Sequence, residues 1–258
     1  MKKLLLIPVL VIFSCSGGDD SSDDNDNNNN NNSGLINCDG NSVPTIVYGT
    51  QEWTAENACH TTYRDGTPIP QVTDGDEWLS LTTGAWCYYD NNPNKGILYN
   101  WYAVMGIHDT DPNTPNKEFA TDGWQVPSYE QWTSLTEYLI SNGYNYDGTT
   151  TADLTAKSMA STSGWNSSTN EGVPGNVQSL NNDSGFNAYP FGMRGATGNG
   201  PMAETVFGAE GYSALFWHST EYDTLKAYNI LLYYDYDGLF NNDYANKQVG
   251  LSVRLVKD

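Results

Sequence analysis

Across 258 residues the chain carries 11 basic and 31 acidic side chains, a formal charge of −20, with 38% hydrophobic and 13% aromatic residues. Nucleic acid and anionic membrane surfaces repel such a polyanion, so no nucleic-acid partner is expected. The 18 Tyr, 8 Trp and 7 Phe exclude full disorder and point to an aromatic-rich core, in one large domain or two small ones.

Lys2 and Lys3 precede an apolar run over residues 4–13 that is too short to span a bilayer, so residues 1–14 read as a signal peptide. The segment Ile12-Phe13-Ser14-Cys15 resembles a bacterial lipobox, which implies cleavage before Cys15 and a diacylglycerol on its thiol. Cys15 is then a lipid anchor, and the membrane is its partner. Residues 16–33 hold five Asp and no basic or apolar side chain, so they cannot bury enough surface to offset the entropy of ordering. Residues 15–34 are therefore expected to be an acidic, Asn-rich tether with a reach of about 20–25 Å. Its early acidic run, Asp19-Asp20 and Asp23-Asp24, resembles the export signals of Bacteroidota-type surface lipoproteins; a plain solvated spacer is the alternative. The expected location is the outer membrane, with display at the cell surface.

Setting aside residues 1–34, with Lys2, Lys3 and five Asp, leaves 9 basic and 26 acidic side chains, a charge of −17 on residues 35–258. Abundant Gly, Asn and Thr there favour a loop-rich fold with short strands, and the lack of a second linker favours one domain. Thr45-Ile46-Val47-Tyr48 alternates as a strand. Over residues 127–140 a helix is expected, with Ser128 as N-cap, Gln131 completing a capping box, and Trp132, Leu135 and Leu139 on one face. A second helix is expected over 151–160, and strands over 214–217, 227–234 and 250–256. Turns are expected at Asp147-Gly148, at 195–200 and at Asp237-Gly238, the last as a tight hairpin. The pattern is α+β, with helices early and a mostly antiparallel sheet late.

Cys38, Cys59 and Cys87 would lie outside the cytoplasm, where disulfides persist. A Cys59–Cys87 bridge would enclose the turn-rich segment between them and is the favoured pair, with Cys38 free or an alternative partner. No metal is expected, because there is no CxxC and His60, His108 and His218 are scattered. Asp109-Thr110-Asp111-Pro112-Asn113 places oxygens at alternate positions, but it lacks the Gly and Glu of a calcium loop and reads as an Asx-rich turn. No hydrolase, phosphate-loop or dinucleotide motif occurs, so no cofactor is expected. His218 and Ser219, with Glu221 and Asp223 nearby, invite a nucleophile reading, but neighbours on a strand point to opposite faces.

Several segments, read in order, carry a resemblance. They include Gln51-Glu52-Trp53-Thr54-Ala55-Glu56-Asn57, Tyr63-Arg64-Asp65-Gly66, Trp86-Cys87-Tyr88-Tyr89-Asp90-Asn91, Leu98-Tyr99-Asn100-Trp101-Tyr102-Ala103, Gly123-Trp124-Gln125-Val126-Pro127-Ser128, Ser184-Gly185-Phe186-Asn187-Ala188, Trp217-His218-Ser219-Thr220 and Gly250-Leu251-Ser252-Val253-Arg254. Together, over residues 43–258, they resemble the Fibrobacter succinogenes major paralogous domain of surface lipoproteins. The resemblance implies a C-type-lectin-like fold: two helices, a compact sheet and long irregular loops. That family often has a Cys before the Gly-Trp-His-Val-Pro segment and another in the last strand. Here Ala120 and Leu255 stand in those regions, so one whole bridge is missing and apolar packing of Leu255 is expected instead. Gln125 and His218 also depart from the family pattern.

The calcium-lectin triplets of this fold are absent, and so is the cysteine pair of the similar formylglycine-generating enzymes. The expectation is therefore a non-enzymatic domain that binds an extracellular glycan or protein. The alternatives are an enzyme of that formylglycine-generating type or a structural envelope component. Tyr88, Tyr89, Tyr144, Tyr146 and Tyr236, each beside Asn, Asp or Gly, are the candidate ligand-binding loop aromatics. Asp223-Thr224-Leu225 resembles an O-glycosylation triplet, with an ordinary surface loop as the alternative.

Overall fold

Alternating β-branched and aromatic residues form the first hairpin, β1 (Thr45–Tyr48) paired with β2 (Gln51–Thr54), and Gly49 in its turn takes φ 62°. The computed structural model describes residues 42–195 and 207–258, all within the unit Ser33–Asp258. The signal peptide, Cys15, the tether and Cys38 lie outside the described residues, as does most of the 195–200 turn.

Helix α1 (Gly75–Leu79) starts where the Asp74 carboxylate accepts the Glu77 N–H. The ladder of β3 (Trp86–Tyr88) and β4 (Ile97–Tyr99) follows, and Asn100 then caps the single turn α2 (Trp101–Val104). After β5 (Trp124–Gln125) comes the long helix α3 (Tyr129–Ser141), which begins with the expected capping box. There Ser128 Oγ accepts the Gln131 N–H at 3.3 Å, and Gln131 Oε1 accepts the Ser128 N–H at 2.8 Å. Trp132, Leu135, Thr136 and Leu139 are its buried residues.

The helix expected over 151–160 is only the single turn α4 (Ala156–Met159). Side chains hold the residues before it as a loop: Asn145 accepts the Leu154 N–H and donates to the carbonyls of Thr149 and Ala152, and Asp153 accepts the Thr155 hydroxyl. Such local bonds compete with helical ones.

Two short strands, β6 (Met193–Arg194) and β7 (Phe207–Gly208), pair with each other. The large antiparallel sheet has the order β10-β9-β8, from β8 (Ser213–Glu221), β9 (Lys226–Tyr233) and β10 (Phe240–Asn246). Finally β11 (Val256–Lys257) lies between β2 and β5 in the sheet β1-β2-β11-β5. A few helices with several antiparallel sheets make the described fold α+β.

Two expected elements differ in form. Within 250–256 only the end is regular strand; Gly250 bridges to Arg194, Leu251 to Tyr99 and Ser252 to Phe216, so this segment stitches three sheets together. Asp237-Gly238 does not form a two-residue turn, because residues 234–239 connect β9 to β10. That connection is tied to α4 instead: Ala156 N–H donates to the Asp237 carbonyl, and Leu239 N–H donates to Asp153 Oδ2.

β8 is buried on both faces, which is why it reads as a nearly continuous apolar run, while β9 alternates buried and half-buried residues and β10, at the edge, exposed and half-buried ones. Leu215, Trp217 and Ala227 pack with Tyr99, Trp101, Trp124 and Leu255; Phe216, Ile230 and Leu232 pack with Trp53, Trp132, Leu139 and Phe186. Each fully buried side chain of this size contributes about 1.5–3 kcal/mol. Leu255 shares its cluster with Phe119 and Ala120, so apolar contact occupies the region where the resembling family has a bridge.

The expected Cys59–Cys87 disulfide does not form. Alternation along β3 sends Trp86 and Tyr88 into the cluster that Cys59 adjoins and turns Cys87 the opposite way, among Val72, Trp78, Tyr89 and Leu98. Cys87 is a free, buried thiol. Among the described residues no helix is long and apolar enough to cross a membrane.

Candidate functional site

Arg254 draws three remote segments together. Its Nε donates to Asn57 Oδ1 at 2.8 Å, Nη1 to the Thr54 carbonyl at 2.8 Å, and Nη2 to the Asn187 carbonyl at 3.0 Å. The guanidinium lies 4.5 Å from the Phe186 ring centroid and 5.5 Å from that of Phe216, a cation–π contact with two mutually perpendicular rings inside the core. Asn187 adopts φ 57°, a conformation that Asn tolerates better than most side chains. Burial pulls the Arg254 pKa down to about 9, partly offset by electrostatic interaction with Tyr48 and Glu56, and the side chain remains a cation at neutral pH.

Beside Arg254 opens a cleft of about 460 Å³. Residues 55–58 form one side, β3, β4 and their connection a second, and residues 187–191 a third. Tyr88, Tyr189 and Phe191 bring aromatic rings to it, with Tyr189 and Phe191 4.7 Å apart. Phe191 lies close against the main chain of Gly96, where an added Cβ would fall 2.7 Å from the ring. Lys95 reaches across to Glu210 at 2.8 Å and lies over the Tyr89 ring. The Asn57 Nδ2 group, also at the cleft, is buried and without a hydrogen-bond partner. Of the described lining residues, Glu56 is the single carboxylate and none is Ser, Thr, Cys or His. What they offer a ligand is ring surface and amide hydrogen bonds.

The five expected tyrosines do not converge. Tyr88 lines the cleft. Tyr89, the residue after β3, is buried against Phe207, so the first of this pair reaches the cleft and the second is hidden. Tyr144 packs at the margin of the core cluster under α3, and Tyr146 is exposed, pressed over Gly172. Tyr236 is exposed and stacks on Phe240 at the far end of the large sheet. Tyr189 and Phe191 were missed; the signal available was an aromatic-Pro-aromatic-Gly run, Tyr189-Pro190-Phe191-Gly192, which favours an irregular loop over a strand.

The other candidate chemistry is resolved by geometry. His218 is fully buried, with neither ring nitrogen hydrogen-bonded, stacked 5.9 Å from Trp132, and desolvation pulls its pKa down to about 3. Burial pushes the Cys87 thiol up to about 11, the reverse of the depression that makes a cysteine nucleophilic. Asp109 and Asp111 accept the main-chain N–H groups of Asp111 and Asn113, a pair of Asx turns as expected. Among the described residues no group of three or more His, Cys, Asp or Glu side chains is arranged to hold a metal.

The model of the Fibrobacter succinogenes major domain matches residues 46–257. The match takes in all the segments that converge on Arg254. No curated protein and no solved structure matches the chain.

Proposed function

The chain belongs to the Fibrobacter succinogenes major domain family, and from that premise we propose a non-catalytic, lipid-anchored protein of the cell surface whose domain holds an extracellular ligand in the Arg254 cleft. In this reading Cys15 carries the lipid, residues 15–34 space the domain from the outer membrane, and the domain is a C-type-lectin-like scaffold. The ligand is a glycan, with a protein partner as the other outcome of a screen.

The observation that supports the reading best is the make-up of the cleft, which Tyr88, Tyr189 and Phe191 line together with Asn57, Asn94 and Asn187. Flat rings take the apolar face of a sugar while amides meet its hydroxyls, the usual division between hydrophobic lining and a few orienting polar groups. The alternative oxidase chemistry needs a reactive thiol, and the buried Cys87 is held protonated.

A glycan array and a pull-down with the full chain test the proposal. Saturable binding that Tyr189→Ala weakens about tenfold, roughly one ring contact, is expected. Binding that ignores Tyr189→Ala and Phe191→Ala would remove the cleft from the account. Separately, Cys15→Ser is expected to leave the membrane fraction of cells; a variant that stays there defeats the anchor.

A further inference from the structure

We propose that a second pocket, at the β10 edge of the large sheet and separate from the Arg254 cleft, binds a neutral polyhydroxylated ligand such as a sugar unit of a glycan chain.

The pocket measures about 390 Å³, within the range of small-molecule sites. Leu231, Leu239 and Phe240 give it an apolar side, and Asn241, Asn242 and Asp243 a polar one. Next to it Tyr236 and Phe240 stack with centroids 4.4 Å apart and planes at 28°. The two rings are 41% and 40% exposed, so the stacked pair leaves an apolar ring face in contact with water. Such a face suits the C–H side of a pyranose ring.

A bulge creates the polar side. Phe240 pairs with Leu231 and Asp243 with Asn229, so three steps along β10 match two along β9. The extra residue turns Asp243 to the same face of the sheet as Phe240, where regular alternation would have sent it away. Asp243 accepts the Tyr244 N–H at 2.9 Å. Asn229, directly across the ladder, is fully buried with both amide atoms unpartnered, and Asn241 Oδ1 is buried and unpartnered at the pocket itself. Buried polar groups are ordinarily satisfied, so the Asn241 oxygen at the pocket marks a place for a missing partner, whereas Asn229 does not line the pocket. Sugar hydroxyls both donate and accept, which matches carboxylate, carbonyl and amide groups set together. The domain's charge of −17 and the Asp243 carboxylate disfavour an anionic ligand.

Neutral hexasaccharides of β-glucan, xylan, mannan and α-glucan, titrated into the full chain by calorimetry, test this. At least one is expected to bind saturably at millimolar concentration or below. Phe240→Ala and, as a second exposed position less prone to disturb folding, Tyr236→Ala should each weaken it about tenfold. Leu180→Ser, which removes an equally exposed apolar side chain elsewhere, should leave it unchanged. Failure of all four probes to saturate overturns the proposal, as does binding that survives both ring deletions in chains with unaltered thermal unfolding. Because the Arg254 cleft is itself proposed to take a glycan, the same titrations in Tyr189→Ala separate the two sites: binding that Tyr189→Ala weakens and the ring deletions do not belongs to the cleft, and binding that Phe240→Ala and Tyr236→Ala weaken belongs to this pocket.

Discussion

Two buried arginines show how one chemical solution serves opposite ends. Arg194 donates to the carbonyls of Val72, Thr73 and Asp74 at 2.6, 3.2 and 2.8 Å and lies over Trp78 and Phe207. Arg254 likewise meets main-chain carbonyls beside two rings, yet its partners lie in separate segments and it lines an open cleft. Arg194 clasps one contiguous stretch at the start of α1 and closes it. Arg254 spans residues 54 to 254 and leaves a surface beside itself. Neither guanidinium forms an ion pair among the described residues. A weakly hydrated planar cation with five N–H donors is well suited to collecting carbonyls in this way.

Substituting each arginine by Met puts that comparison to its hardest test. Arg254→Met orphans the Thr54 and Asn187 carbonyls and Asn57 Oδ1, and is expected to cost about 3–5 kcal/mol in urea unfolding and to abolish cleft binding. Arg194→Met is expected to cost about 2–4 kcal/mol while leaving cleft affinity within about twofold, because the damage is local. Equal loss of binding in both variants would break the distinction between clamp and cleft.

His218 sharpens it from the other side, as a buried base with no carbonyl to donate to. Its pKa falls to about 3 in the folded chain, below the 6.5 of the free side chain. Between those values the unfolded chain binds the extra proton, so stability falls as pH drops through this window, by up to about 1.4 kcal/mol per pH unit. His218→Phe keeps a ring against Trp132 and removes the unpartnered nitrogens. Urea unfolding at pH 7 and pH 4.5 should show the variant losing about 1–3 kcal/mol less than the parent on acidification. Equal losses would show that the imidazole gains a proton partner in the folded state.

Much of the scaffold was legible because its signals are local. The Ser128 and Gln131 pair and the Trp132, Leu135, Leu139 stripe determine α3 within a few residues of chain, and the period-two runs at 214–217 and 227–234 announce β8 and β9. What failed depended on distant partners. A Cys59–Cys87 bridge was inferred from the loop it would close, whereas the alternation of β3 against β4 decides which way Cys87 points. The last segment has strand-like residues at 250–256, but its hydrogen bonds go to three different sheets. The cleft was half visible: Tyr88 carries an Asp-Asn-rich neighbourhood that marks a loop, while Tyr189 and Phe191 become functional candidates only once Arg254 brings residue 187 beside residue 57.

The smallest expected effect probes the cleft without touching the arginine. At Gly96 an added Cβ would fall 2.7 Å from Phe191 Cδ2 and 3.0 Å from its Cγ, so the ring must shift to admit it. Gly96→Ala should therefore cost about 1–3 kcal/mol in urea unfolding. The displaced Phe191 ring loses its alignment with Tyr189, and ligand affinity should drop about threefold to fivefold, less than for Tyr189→Ala, which removes a ring outright. Calorimetric titration of both variants beside Arg194→Met orders the three by distance from the ligand. If Gly96→Ala bound as well as the parent while Tyr189→Ala did not, Tyr189 alone would form the stacking wall and Phe191 would serve only to support it.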